Sequence, residues 1–361
     1  MLRKTYFHLI LLAVLMASCG RAAPATIQAP AVQTSTPVAI QPTAQPIPTA
    51  TGKPETDEEA TLASLQKVGD YPLYTMHYVG DYGARLAANE NIASRSLAAA
   101  PGWACSLFAA LGDPASRLYG RNFDWQYSPA LLLFTDPPDG YASVSMVDIA
   151  YLVQPGQVSR LDELPLAERR ALLDAPAWPF DGMNEHGLAV GMAAVPPGSL
   201  PPDPAKETVG SLGVIREMLD HAKDVDEAVA ILQEHNIDFE GGPPLHYLIA
   251  DHAGRAMLVE FYQGKLYVFP NESPWHEATN FLLAGAGASP QGNCWRYDRL
   301  NQQLSEAGGA LAAQQAMQLL SQVAQDGTQW SVIYGISTGS VTVVMGREYD
   351  EAYTLTGIWE P

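Results

Sequence analysis

With 361 residues, 47% of them hydrophobic, the chain has enough apolar material for one large domain or two small ones around a substantial core. Acidic residues outnumber basic ones 39 to 20, for a formal net charge of -19. That balance repels a phosphate backbone and mildly disfavours an anionic substrate, so nucleic acid is not an expected partner.

The N-terminus pairs Arg3 and Lys4 with an apolar run over residues 7–16, then the small residues Ala17 and Ser18 before Cys19. The run is too short to span a bilayer as a helix and has the layout of an export signal. Small residues directly before a cysteine resemble the bacterial lipoprotein signal. That resemblance implies a signal peptide over 1–18, a lipid on Cys19, and attachment to the outer face of the cell membrane or the periplasmic side. Residues 19–56 follow, rich in Pro, Ala, Thr and Gln without apolar periodicity. Such composition cannot offset its ordering entropy by burial, and it predicts an extended tether.

Cys105 and Cys294 are the two remaining cysteines. In an exported protein they can form one disulfide or stay as thiols, and spacing does not decide between these.

Residues 57–68 predict a charged helix, and residues 71–82 alternate as a strand with Gly80 and Asp81 turning the chain. Residues 105–110 and 117–123 form a hairpin about Gly112, Asp113 and Pro114. Later strands are expected over 141–152, 187–194, 245–250, 256–261, 265–269, 330–336 and 340–345. Helices are expected over 209–222, 224–236 (capped by Asp224), 294–304 and 311–323. Strand runs separated by helix pairs point to an α+β layered domain.

The hairpin brings Cys105 across from the segment Arg121 to Asp124. A thiolate is stabilised by nearby positive charge, so Arg121 beside Cys105 would make a nucleophile. Arg121 and Asp124 are three apart and point to opposite faces of a regular strand, so both reach the thiol only where the strand ends or bulges near Asn122. Taken alone, a cysteine in "CSLFAA" is equally a small buried hydrophobe.

The pattern C-S-L-F-(x)11-G-R-N-F-D-W resembles the signature of the choloylglycine hydrolase, penicillin V acylase and acid ceramidase group. Its Cys-to-Arg separation equals that of Cys105 and Arg121. "FDGMNEHGLAVGM", "HYLIADHAGRAMLVEF", "HEATNFL", "CWRYDRL" and "TQWSVIY" resemble further segments in family order. "WAC", "ATN" and "RYDRL" look closer to the acyltransferases of penicillin biosynthesis. The resemblance spans about residues 71–360.

It implies a four-layer αββα N-terminal-nucleophile sandwich of two antiparallel sheets between helices. It also implies a pro-segment over 57–104, a catalytic domain over 105–361, and cleavage after Ala104 to expose the Cys105 amine. The expected chemistry is acyl transfer from a linear, non-peptide amide to Cys105 and then to water or another amine, with no cofactor and a small acyl amide as substrate.

By resemblance Arg121 lies beside the thiolate, Asp124 orients the new amine, and Arg296 completes the polar network. Asn280 donates to the oxyanion, with Asn271 as its rival, and the backbone N–H of Ala194 is the second donor. Trp125, Tyr127, Phe134, Tyr141 and Trp178 are candidates for an apolar acyl pocket or for core packing. Asn184 and Glu185 suit a turn, and His186, His246, His252 and His276 lack metal-type spacing. Two rivals stay open: a papain-like protease using His246 or His276 with Asn280, and a lipid-tethered binding protein on an inactive hydrolase scaffold.

Overall fold

The computed structural model describes residues 56–88, 104–198, 200–239, 242–287 and 289–359. The signal-like segment, Cys19, nearly all of the tether, and residues 89–103 fall outside the described residues.

Chain order begins with α1 (Asp57–Ala63), β1 (Gln66–Gly69), β2 (Leu73–His77) and α2 (Gly83–Ala88), then β3 (Ala104–Ala110) and β4 (Leu118–Asp124). β5 (Ala130–Thr135) and β6 (Ser143–Asp148) lead through short 3-10 turns over 149–177 to β7 (Pro179–Asn184) and β8 (Ala189–Ala194). β9 (Thr208–Gly210), α3 (Gly213–His221), α4 (Val225–Glu234) and β10 (Asn236–Asp238) follow. β11 (Leu245–Ala250), β12 (Ala256–Tyr262), β13 (Lys265–Pro270) and β14 (Trp275–Ala278) come next. α5 (Trp295–Glu306), α6 (Ala313–Gln322), β15 (Thr328–Gly335), β16 (Ser340–Met345) and β17 (Tyr353–Leu355) complete the chain.

The strands form a nine-stranded sheet in the order β1-β2-β5-β6-β7-β8-β11-β12-β13 and a six-stranded sheet in the order β14-β3-β4-β15-β16-β17. α3 and α4 cover the first, α5 and α6 the second, which gives the four expected layers. Both sheets are antiparallel but for β2, which runs parallel to β5.

Because both faces of the six-stranded sheet are covered, its central strands are buried along their whole length, and period-2 alternation sorts their side chains between two cores. Cys105, Leu107, Tyr119, Phe123, Trp330 and Tyr334 face the other sheet. Phe108, Ala110, Leu118 and Ile333 face α5 and α6, against Leu300, Leu304, Ala316 and Leu320. Cys105 therefore points into the space between the sheets.

Local chemistry explains most element ends. Asp224 Oδ1 accepts from the backbone N–H groups of Asp226 and Glu227 and caps α4. The strand expected over 141–152 stops at Asp148, whose side chain accepts from Ala150 N–H and turns the chain. The helix expected over 57–68 ends at Ala63, because residues 66–69 are taken up in pairing with β2. Tertiary pairing overrides helix propensity there. The segment before Cys105 is thus part of the fold: β2 lies between β1 and β5, and Leu73, Tyr74 and Met76 are buried.

Candidate active site

The hairpin of β3 and β4 sets the geometry. Cys105 pairs with Phe123, Leu107 with Arg121, and Ala104 with Asp124. Cys105 and Arg121 share the inward face, and Arg121 Nη2 lies 3.6 Å from the Cys105 sulfur. Burial pushes the Cys105 thiol up, and the Arg121 guanidinium draws it back toward ionisation.

β4 neither ends nor bulges at Asn122: it pairs regularly with β3 as far as Asp124, and the irregular register lies in β15, between Thr328 and Trp330. Asp124 therefore stays on the outward face and does not meet the thiol. Its carboxylate accepts from Gln325 Nε2 (2.7 Å) and Thr328 Oγ1, and Arg296 lies 3.7 Å away. Burial pushes the Asp124 carboxyl up, while Arg296 and its hydrogen-bond donors oppose that.

Arg296 sits fully buried in the first turn of α5. It donates to the Cys105 carbonyl, to Ser106 Oγ (3.0 Å) and to Asn280 Oδ1 (2.8 Å). Cys105 is thus met from two sides, Arg121 at its sulfur and the Asp124–Arg296 pair at its backbone.

Asn280 completes the enclosure. Its Oδ1 accepts the Cys105 N–H at 2.7 Å, and its Nδ2 donates to the Ala194 carbonyl at 2.7 Å. Val195 N–H donates to Pro244 O, so strand alternation turns the N–H and C=O of Ala194 away from β11 and toward Asn280. Asn271 stands elsewhere: it accepts from Ala256 N–H (2.8 Å) and donates to Ser273 O (2.8 Å), closing a turn. Cys105 and Cys294 are both buried, and neither is in a disulfide.

One site residue was not among those expected. Asp181, fully buried on β7, forms an ion pair with Arg121, whose Nη1 also donates to Phe180 O at 2.8 Å. Tyr334 OH and Trp330 Nε1 donate to the same carboxylate. Asp181 thus fixes the guanidinium that faces the sulfur. Its signals were an acidic residue inside an otherwise apolar stretch, "WPFDGM", and its place in the family-like segment "FDGMNEHGLAVGM".

Aromatic rings adjoin the Cys105–Phe123 pair. Phe123 packs against Trp330 (4.2 Å) and Phe180 (5.1 Å), and Tyr151 stacks on Trp178 (5.6 Å). Of the expected pocket residues Trp178 belongs to this cluster, and Trp125 reaches it through Tyr151. Phe134 instead stacks on His77, Tyr141 packs on His186, and Tyr127 is exposed beside Tyr71. Asn184 accepts from the N–H groups of His186 and Leu188 and holds the β7–β8 turn. A cavity of about 290 Å³ lined by Glu185, His186, His252, Thr338 and Trp359 lies at the far end of β15, where Gly335 pairs with Leu118. It is separate from the reactive centre.

Comparison with known proteins agrees with this architecture. A mutant of the conjugated bile acid hydrolase from Clostridium perfringens superposes with a TM-score of 0.52 at 17% identity, covering 71% of this chain and 93% of that one. The chain has the N-terminal-nucleophile hydrolase fold. A second variant of the same bile acid hydrolase gives a TM-score of 0.51 at 16% identity, over 71% and 94% of the two chains. Penicillin V acylase from Agrobacterium tumefaciens gives 0.48 at 14%, over 70% and 86%. Residues 179–281 match the family model of acyl-coenzyme A:6-aminopenicillanic acid acyl-transferase. That span holds Asp181, Ala194 and Asn280, whereas Cys105, Arg121, Asp124 and Arg296 lie outside it. No curated protein matches the chain in sequence. In this fold Cys105 is the second residue of β3, an inner strand of the sandwich.

Proposed function

We propose that the protein hydrolyses a linear, non-peptide amide through Cys105, after cleavage between Ala104 and Cys105. The observation that carries this reading is the enclosure of a single residue: Arg121 at the Cys105 sulfur, Asn280 at its nitrogen and Arg296 at its carbonyl. A merely structural cysteine needs none of the three.

In cleavage, the Cys105 sulfur attacks the Ala104 carbonyl carbon and the C–N bond breaks as the nitrogen takes a proton. Water then splits the thioester, leaving an Ala104 carboxylate and a free Cys105 amine. An α-amine of pKa about 7.7–8.0 is a general base suited to neutral pH. It accepts the thiol proton as sulfur attacks the substrate carbonyl, and passes that proton to the departing amine nitrogen. Asn280 Nδ2 keeps a second N–H for the oxyanion, beside the N–H of Ala194. Water attacks the acyl-thioester, its proton returns through the amine to sulfur, and the acid leaves. Asp124 acts from the outward face by holding Arg296, which fixes Asn280 and the chain end.

The test is amine release from a panel of fatty-acyl and arylacetyl amides of glycine, ethanolamine and aniline, together with intact mass. Processed protein should yield a fragment beginning at Cys105. A chain that stays whole, with Cys105 inert to iodoacetamide, defeats the reading. In the processed fraction, Asn280→Ala should lower kcat by about 10²–10³ through loss of an oxyanion donor.

The family match over 179–281 favours a second reading, transfer of the acyl group to an amine in place of water. Products formed with and without added amine separate the two. We further propose that Cys19 carries a lipid and that the tether holds the domain off an exported membrane face; mass spectrometry of the N-terminal fragment tests this.

After cleavage the N-terminal piece is expected to stay bound. Leu62, Leu73, Tyr74 and Met76 are buried in the common core, each contributing roughly 1.5–3 kcal/mol for full burial. Tyr82 OH donates to Asp220, Tyr74 OH donates to Val158 O, and Arg85 pairs with Asp174. Both fragments should co-elute in native size-exclusion chromatography and separate only in denaturant.

A further inference from the structure

We propose that Glu260 is a positioning residue for the reaction at Cys105, holding in register the two groups that face the oxyanion. The proposal rests on the amide chemistry argued above and extends it to residues that touch neither sulfur nor substrate.

Glu260 lies on β12, fully buried, next to Val259, which pairs with Tyr247 beside His246 on β11. His246 Nδ1 is 3.2 Å from Glu260 Oε1, and the imidazole is itself buried. The carboxylate also accepts two backbone N–H groups, Leu283 on Oε1 at 2.8 Å and Ala284 on Oε2 at 2.9 Å. Leu283 begins the short 3-10 turn Leu283–Gly285, three residues after Asn280. One carboxylate therefore clamps the turn that follows Asn280.

The other half of the link runs through His246. It pairs across strands with Ala193, the residue before Ala194. Glu260 thus binds the chain on both sides of the Asn280–Ala194 hydrogen bond, by a charge-assisted contact to each.

His276 packs near the same pair but is engaged elsewhere: Glu277 N–H donates to its Nδ1, and its Nε2 meets Phe269 O at 3.0 Å. Burial pushes His276 down to about 4, so it brings no charge that would compete for Glu260 near neutral pH. The contacts of Glu260 go to His246 and to the turn after Asn280, whereas Arg121 meets the Cys105 sulfur and Arg296 its carbonyl. The effect of Glu260 and His246 must pass through the position of Asn280 and Ala194, and not through the reactivity of the sulfur.

That separation makes the test specific. Glu260→Gln keeps the side-chain volume, but its amide offers one oxygen where two backbone donors need acceptors. Per active site, counted by iodoacetamide labelling of Cys105, kcat for the best amide of the panel should fall by on the order of 10²-fold, the cost of a displaced catalytic group. KM, and the rate and pH profile of Cys105 alkylation, should stay as in the wild type. His246→Asn, which leaves both backbone bonds to Glu260 in place, should lower kcat in the same sense by a smaller factor. It also serves should Glu260→Gln fail to fold.

An unchanged kcat per labelled site in Glu260→Gln overturns the proposal, and so does a kcat loss matched by an equal loss of alkylation rate. If Glu260→Gln does not fold, an unchanged kcat in His246→Asn overturns it. A processed wild type that releases no amine from any amide sinks the underlying functional reading as well, and so is distinguished from failure of the positioning role alone.

Discussion

Cys105→Ala is expected to leave the chain as one uncleaved polypeptide with no amide hydrolysis above background. Two steps are removed at once. The sulfur that attacks the Ala104 carbonyl is gone, so no new chain end forms, and without that end there is no α-amine to act as base. Turnover should fall on the order of 10⁶-fold, as when the nucleophile of another acyl-enzyme is removed. The fold should survive, because Cys105 contributes only a small apolar side chain to the inter-sheet core. Intact mass measures the first loss, amine release the second, and thermal melting the third. Cleavage that persists in the alanine variant would mean that an outside protease makes the cut. Amine release that persists would remove Cys105 from the mechanism altogether.

Cys105→Ser separates the two functions of the residue. A hydroxyl in that position retains the geometry of attack but is not ionised by a neighbouring guanidinium at neutral pH. Slow cleavage with weak turnover is therefore expected, each lying between wild type and alanine. Mass spectrometry over a time course reads the first, and amine release from the processed fraction reads the second.

How much of this was legible in the sequence follows from the range over which each interaction acts. The β3–β4 hairpin is local: a turn at Gly112–Pro114 joins two apolar runs, and strand period alone puts Cys105 and Arg121 on one face. The same period puts Asp124 on the other face, and the structure keeps it there without a bulge in β4. Asp181 meets Arg121 across the space between the sheets, and no pattern within either strand registers a partner in another layer. Glu260 likewise reads as an ordinary member of an alternating strand, and His246 stood out only as a candidate base of a papain-like site.

The aromatic residues show the same limit along a different axis. Sequence pattern does not say which end of the sandwich Phe134 or Tyr141 reaches, and both lie away from Cys105. β14 is four residues, "WHEA", too short to show a period, and it becomes a strand by pairing with β3. β5, "ALLLFT", is a continuous apolar run whose length and pattern do not separate strand from helix.

Asp181→Ala is expected to be among the most destabilising single substitutions in the chain, at about 3–5 kcal/mol, because it strands a buried guanidinium without its counter-ion. Arg121 and Asp181 are both fully buried, so water cannot replace the lost partner. The Tyr334 hydroxyl and Trp330 indole would lose an acceptor in the same step. Urea unfolding reads the effect as a lower midpoint at unchanged slope. The paired replacement Arg121→Met with Asp181→Leu discards both charges and should recover the part of that loss that comes from the stranded guanidinium, while Tyr334 and Trp330 stay without their acceptor. It should nevertheless be inactive, because no positive charge then stabilises the Cys105 thiolate. If the single Asp181→Ala variant melts like the wild type, the ion pair does not support the fold. If the stable double variant still releases amine, the Arg121 charge is not what activates the sulfur.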